Sequence, residues 1–186
     1  MTYSGNYNKY ETFPDLVKNV LSKLFENDED IWKLLKYSSP DALSKPNLTL
    51  SEKRALIYDG LGEQDNFRIF RQPFLEDSFQ DAVAQLRIYS TQVVPSDNIT
   101  GVVDICFEIL SHNKIITLAG GQYSRLELIA QRIIQSLNGE AVGGVGTMFF
   151  NQRGHYSDRI SMNLYNNRNY VGYKLIMSVN VGAASG

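Results

Sequence analysis

Cysteine occurs once in the 186 residues, at Cys106, and histidine twice, at His112 and His155. One thiol cannot form an internal disulfide, and its place in an apolar alternation marks it as a small buried hydrophobe. A zinc centre built from four Cys or His ligands would consume all three residues and still need a carboxylate, so no metal site is expected. No apolar run approaches the roughly 18 residues that span a bilayer, which removes a membrane partner. Residues 1–10 lack a basic start and an apolar centre, so no secretory signal is expected there, and a reducing cytoplasm fits best. The formal net charge is −2, and lysine and arginine are scattered, so nothing draws the chain generally to nucleic acid.

Catalytic signatures are missing as well. No Gly-x-Ser-x-Gly elbow presents a serine nucleophile. The glycine-rich stretch 139–146 has no Lys-Ser/Thr ending and no helix after it, so the geometry that cradles phosphate is absent. Both histidines have loop neighbours and read as exposed surface residues rather than general bases. Asp104 and Glu108 share a strand face about 13 Å apart, too far to act on one bond. They are expected to mark the solvent or subunit side. The acidic cluster Asp28-Glu29-Asp30 suits the N-terminal dipole of a helix, and it lacks the glycine turn and distant glutamate of a calcium loop. No catalytic residue, cofactor site or metal ligand is assigned, and the chain is not expected to be an enzyme.

What is present is a well-patterned core. The length suits one domain over residues 13–181, with a flexible arm at 1–12 and a small-residue tail at 182–186. Val103, Ile105, Phe107 and Ile109 alternate with Val102, Asp104, Cys106 and Glu108, a period of two that predicts a strand. Ser124 and Glu127 have capping-box spacing. Beyond them Leu126, Ile129, Ala130, Ile133, Ile134 and Leu137 form one helical stripe, with Arg125, Gln131, Arg132 and Gln135 off it and Asn138-Gly139 as the stop. Earlier helices are predicted after Pro14, after the acidic cluster and from Thr49, and a short strand over 67–70. Ala84, Leu86 and Ile88 alternate with Gln85, Arg87 and Tyr89, a strand with one face in and one out, joined to the next by turn residues 95–98 as an antiparallel hairpin. Further strands are expected over 147–150, 160–165 and 173–179. The fold class is α+β, a mainly antiparallel sheet with a long helix on one face and extra N-terminal helices.

Tyrosine (11) and phenylalanine (9) together outnumber lysine plus arginine (18), and many aromatics sit in polar surroundings. Tyr3, Tyr7 and Tyr10 in the arm, with Arg153, His155, Tyr156, Arg159, Arg168 and Tyr170 in the region 151–170, are the candidate interface residues. Arginine and tyrosine combine broad contact area with hydrogen bonding, which favours them as interface anchors.

The order of N-terminal helix, hairpin over 84–110, helix over 124–137 and final strand Gly172-Tyr173-Lys174-Leu175-Ile176-Met177-Ser178-Val179 resembles the tail terminator and tail completion proteins of tailed bacteriophages. The local pieces that carry the likeness are Leu86-Arg87-Ile88-Tyr89, Glu108-Ile109-Leu110-Ser111-His112 and the helix with its Asn-Gly stop. The resemblance implies a homohexameric ring in the virion neck, assembled in the host cytoplasm. It would cap the tail tube and meet the head-closure and connector proteins, with DNA only passing through the lumen. Asp77, Asp81, Asp104 and Glu108 are candidates for an acidic lumen lining. A head-closure or adaptor protein is the nearest alternative, and a small protein-binding module or hydrolase a more distant one.

Overall fold

The computed structural model describes residues 15–73, 82–96, 100–143, 146–150, 159–164 and 169–181. Among the described residues, four α-helices precede or interrupt a seven-stranded mixed sheet, an α+β architecture. The helices are α1 (Leu16–Asn27), α2 (Asp30–Lys36), α3 (Leu50–Ala55) and α4 (Arg125–Leu137). The strands are β1 (Ile69–Phe70), β2 (Ala84–Pro95), β3 (Gly101–His112), β4 (Ala141–Val142), β5 (Gly146–Phe149), β6 (Arg159–Leu164) and β7 (Tyr170–Val181). Their lateral order is β1-β2-β3-β7-β5-β4, with β6 also on β7; β1 runs parallel to β2 and the other pairs are antiparallel.

The apolar alternation of β3 lines up with its neighbours. Phe107 lies opposite Ile88 on β2 and Leu175 on β7, and Ile109 opposite Leu86 and Tyr173. On this face α4 lays down Leu126, Ile129, Ala130, Ile133 and Leu137, all buried. The helix begins where predicted: the Ser124 hydroxyl accepts from the Glu127 amide, and the Glu127 carboxylate accepts from the Ser124 amide. Two otherwise orphaned N–H groups are thereby satisfied, worth about 1 kcal/mol. A second capping box, Thr49 with Glu52, starts α3.

Arg125 departs from the pattern. Its position off the stripe suggested solvent, yet it is completely buried. Its guanidinium donates to the carbonyls of Ile115 (2.9 Å), Leu34 (2.6 Å), Tyr37 (2.8 Å) and Ser39 (2.9 Å). Leu34 and Tyr37 stand at the end of α2, whose terminal carbonyls lack helical donors. Arg125 supplies them, so a charge is tolerated in the core without a carboxylate. Desolvation holds its pKa down to about 10.

The acidic cluster is spent on tying helices together. Asp28 accepts from the Ile31 amide at 2.8 Å, Asp30 pairs with Arg132 of α4 at 2.6 Å, and Glu29 pairs with Lys53 of α3. Trp32 is buried among them and donates from its indole N–H to the Leu24 carbonyl at 3.2 Å.

Candidate functional site

The second face of the sheet corrects two expectations. Gln85, Arg87, Asp104 and Glu108 were assigned outward, but all are buried, and β3 is buried along its whole length. Their charges meet across the strands. Glu108 lies directly opposite Arg87 on β2 and Lys174 on β7, and Arg87 reaches it at 3.3 Å while also donating to the Pro73 carbonyl at 3.4 Å. Asp104 stands opposite Ser178, whose hydroxyl donates to it at 3.0 Å. A bulge between Ser90 and Gln92 turns Thr91 so that its hydroxyl donates to the Asp104 carbonyl. Burial, reinforced by a hydrogen bond with Cys106, pushes the Tyr89 phenol above its usual range. Both carboxylates are thus closed off within the chain, which removes Asp104 and Glu108 from any lumen lining; Asp77 and Asp81 lie outside the described residues. Cys106 is fully buried, as its alternation predicted.

His112 is likewise not a surface histidine. It is 8% exposed, accepts from the Lys114 amide through Nδ1 at 3.1 Å and meets Tyr170 edge-on at 5.2 Å. The ring is thus packed at the end of β3. Tyr170, one of the candidate interface residues, is therefore packed inward rather than presented. Arg159 opens β6 opposite Ile176. Tyr3, Tyr7, Tyr10, Arg153, His155, Tyr156 and Arg168 lie outside the described residues.

What the folded chain offers is edges and grooves. β1 pairs with β2 only at Leu86 and Arg87, so the outer side of β2 beyond them has no strand partner among the described residues. There Val93 and Val94 are 40% and 46% exposed. At the opposite margin β5 and β6 share one side of β7. Phe149 faces Ser178 and Arg159 faces Ile176, so a single β7 residue, Met177, separates two partners ten positions apart in sequence. Beside β6 a groove of about 390 Å³ runs between the outer side of α4 and the sheet, lined by Ala130, Ile134, Ile160 and Tyr173 with Glu127 and Gln131 at its rim. Ile134, placed on the apolar stripe, is only half-buried because it lines this groove. Sequence reasoning missed both features. Ile160 is 45% exposed beside α4 and Tyr173, an exposure that no local pattern encodes.

Comparison with known families supplies a relationship. The YomW family model matches residues 28–179, well over half the chain. The chain belongs to the YomW family. That family derives from genes of a Bacillus phage of the SPBc2 type, in keeping with a phage protein. No curated protein matches the chain. The YomW match spans α2 through most of β7 and so includes both margins of the sheet. Among the described residues no helix is long and apolar enough to cross a membrane.

Proposed function

We propose that this YomW family chain is a structural protein of the phage neck, a tail terminator that caps the tail tube as a ring of six copies and offers a docking face to the head-closure and connector proteins. The observation that carries this reading is the pair of unlike sheet margins. A closed ring needs two different surfaces on each copy, so that each contact is head-to-tail. The outer edge of β2 with Val93 and Val94, which has no strand partner among the described residues, is one, and β6 with its apolar groove is the other. Exposed strand edges are natural templates for adding a further chain. The family's phage origin and the order of elements support the same reading. In it, DNA crosses only the lumen, no membrane is involved and no reaction is catalysed.

Co-purification of the tagged chain with tail tube and connector proteins, followed by electron microscopy of particles, tests the proposal. Six-fold density at the top of the tail tube supports it. Density on the connector alone would make the chain a head-closure or adaptor protein, and absence from the particle would reject both. In this reading the sheet margins bind neighbouring copies and residues 151–169 reach tail or head proteins, so deleting residues 151–158 should leave a folded chain that no longer assembles; loss of folding would overturn that division of labour.

A further inference from the structure

A corner of the molecule away from β6 carries a groove and a knob that fit each other chemically. The groove, about 510 Å³, has an apolar floor of Leu21, Leu50 and Ile57, contributed by α1, α3 and the segment after α3. Lys18, Arg54 and Arg71 stand around it against one acid, Glu26. Among the described residues none of these three cations makes an ion pair. Leu50 is 56% exposed at its mouth.

The knob is the loop after Tyr58. Leu61 at its tip is 93% exposed, the most exposed large hydrophobic among the described residues. It is held there by construction. The Asp59 carboxylate accepts from the Leu61 amide at 2.9 Å and the Gly62 amide at 3.3 Å, and Gly60 takes a positive φ of 91° that favours glycine. Behind the tip, Gly62 lies so close to the Phe67 ring that a Cβ would come within 2.9 Å of it, and Phe67 in turn packs edge-on against Tyr58 at 5.2 Å. Asp59, Glu63 and Asp65 give the loop three negative charges beside its leucine. Holding a leucine rigidly in water costs free energy that a partner surface would recover.

We propose that this corner pairs two copies of the chain about a two-fold axis, the Leu61 loop of each entering the basic-rimmed groove of the other. Charge selects the occupant: an apolar tip flanked by carboxylates meets an apolar floor flanked by guanidinium and ammonium groups. Position selects the symmetry. Arg71 borders both the groove and the pocket beneath Tyr58, Asp59 and Gly60, so knob and hole sit side by side on one surface. A patch carrying both halves of a contact is self-complementary, which produces a closed pair rather than an open chain. The contact leaves the Val93–Val94 edge and the β6 groove free, and it does not depend on the neck reading.

Light scattering on the full chain over a concentration series tests it. A concentration-dependent monomer–dimer equilibrium, weakened by added salt, is expected. Leu61→Ser should raise the dissociation constant at least about tenfold. Arg54→Glu/Arg71→Glu and Glu63→Arg/Asp65→Arg should each be monomeric alone, and mixing the two should restore a one-to-one heterodimer because both contacts are then opposite in charge again. All these positions are solvent-facing, and circular dichroism checks that the variants remain folded. A wild-type chain that stays monomeric up to about 100 μM, an oligomer indifferent to these substitutions, or a mixture that fails to pair would overturn the proposal. Tail binding is a separate readout, so loss of the neck reading would leave this result standing.

Discussion

Arg125, the first residue of the long helix, donates to the carbonyl oxygen of Leu34 at 2.6 Å across 91 positions of sequence. The contact joins the start of α4 to the end of α2, and the same guanidinium holds Tyr37, Ser39 and Ile115. Arg125→Met should leave four carbonyls without this donor and cost about 4 kcal/mol, since each buried unsatisfied group costs roughly 1–3 kcal/mol with partial relaxation. Urea unfolding measures the loss. With a folded-state pKa near 10 below the unfolded value, the unfolded chain holds more protons only above about pH 10, and this group's contribution climbs with pH there. The difference between wild type and variant should therefore be flat from about pH 6 to pH 9.

The cap of α3 should govern part of the acid limb. The Glu52 carboxylate is held below its ordinary value by the backbone N–H of Thr49 and then by the Thr49 hydroxyl, both at 2.9 Å. A carboxyl with a depressed folded-state pKa stabilises above its unfolded value and stops doing so as pH falls through the folded one. Glu52→Ala should thus be less stable than wild type at neutral pH, with the gap closing below about pH 4. A constant gap into acid would reject the assignment.

These two caps show what the sequence made legible. Ser124 and Glu127 announce α4 by spacing alone, and the strand and hairpin alternations around Phe107 predict the correct pairing. Thr49 and Glu52 carry the same spacing signal, which would have placed the start of α3 more sharply. Arg125 was not legible, because three of its four partners come from a segment about 90 residues away. Nor were Arg87, Asp104, Glu108 and His112. Alternation predicts which residues share a face, but whether the second face meets water depends on what the rest of the chain brings to it. Leu61 was not legible either, since nothing local distinguishes a supported leucine from a solvated one.

The cross-strand charges on that second face should respond asymmetrically. Arg87→Ala would take away the guanidinium that meets the buried Glu108 carboxylate at 3.3 Å, and a loss of about 3–5 kcal/mol is expected. Replacing both Arg87 and Glu108 with leucine and methionine should cost much less than the single change. A double-mutant cycle on thermal unfolding checks this, and single losses that simply add up to the double loss would show that the pair is not coupled.

Gly146 lies against the backbone of Asn180, so that a Cβ there would overlap the Asn180 carbonyl. Gly146→Val should push β5 off β7 and cost about 2 kcal/mol. Hydrogen exchange should report it first at Met148 and Phe149, while β3 and the β6–β7 pairing keep their protection.

The interrupted margin of β7 has an implication for how such a protein diversifies. Phe149 and Arg159 are each anchored by their own partners, Ser178 and Ile176, so the residues between them can be lengthened, shortened or exchanged without shifting the alignment of either neighbour. The scaffold works as a socket there: one frame can carry different inserts while the core sequence stands still.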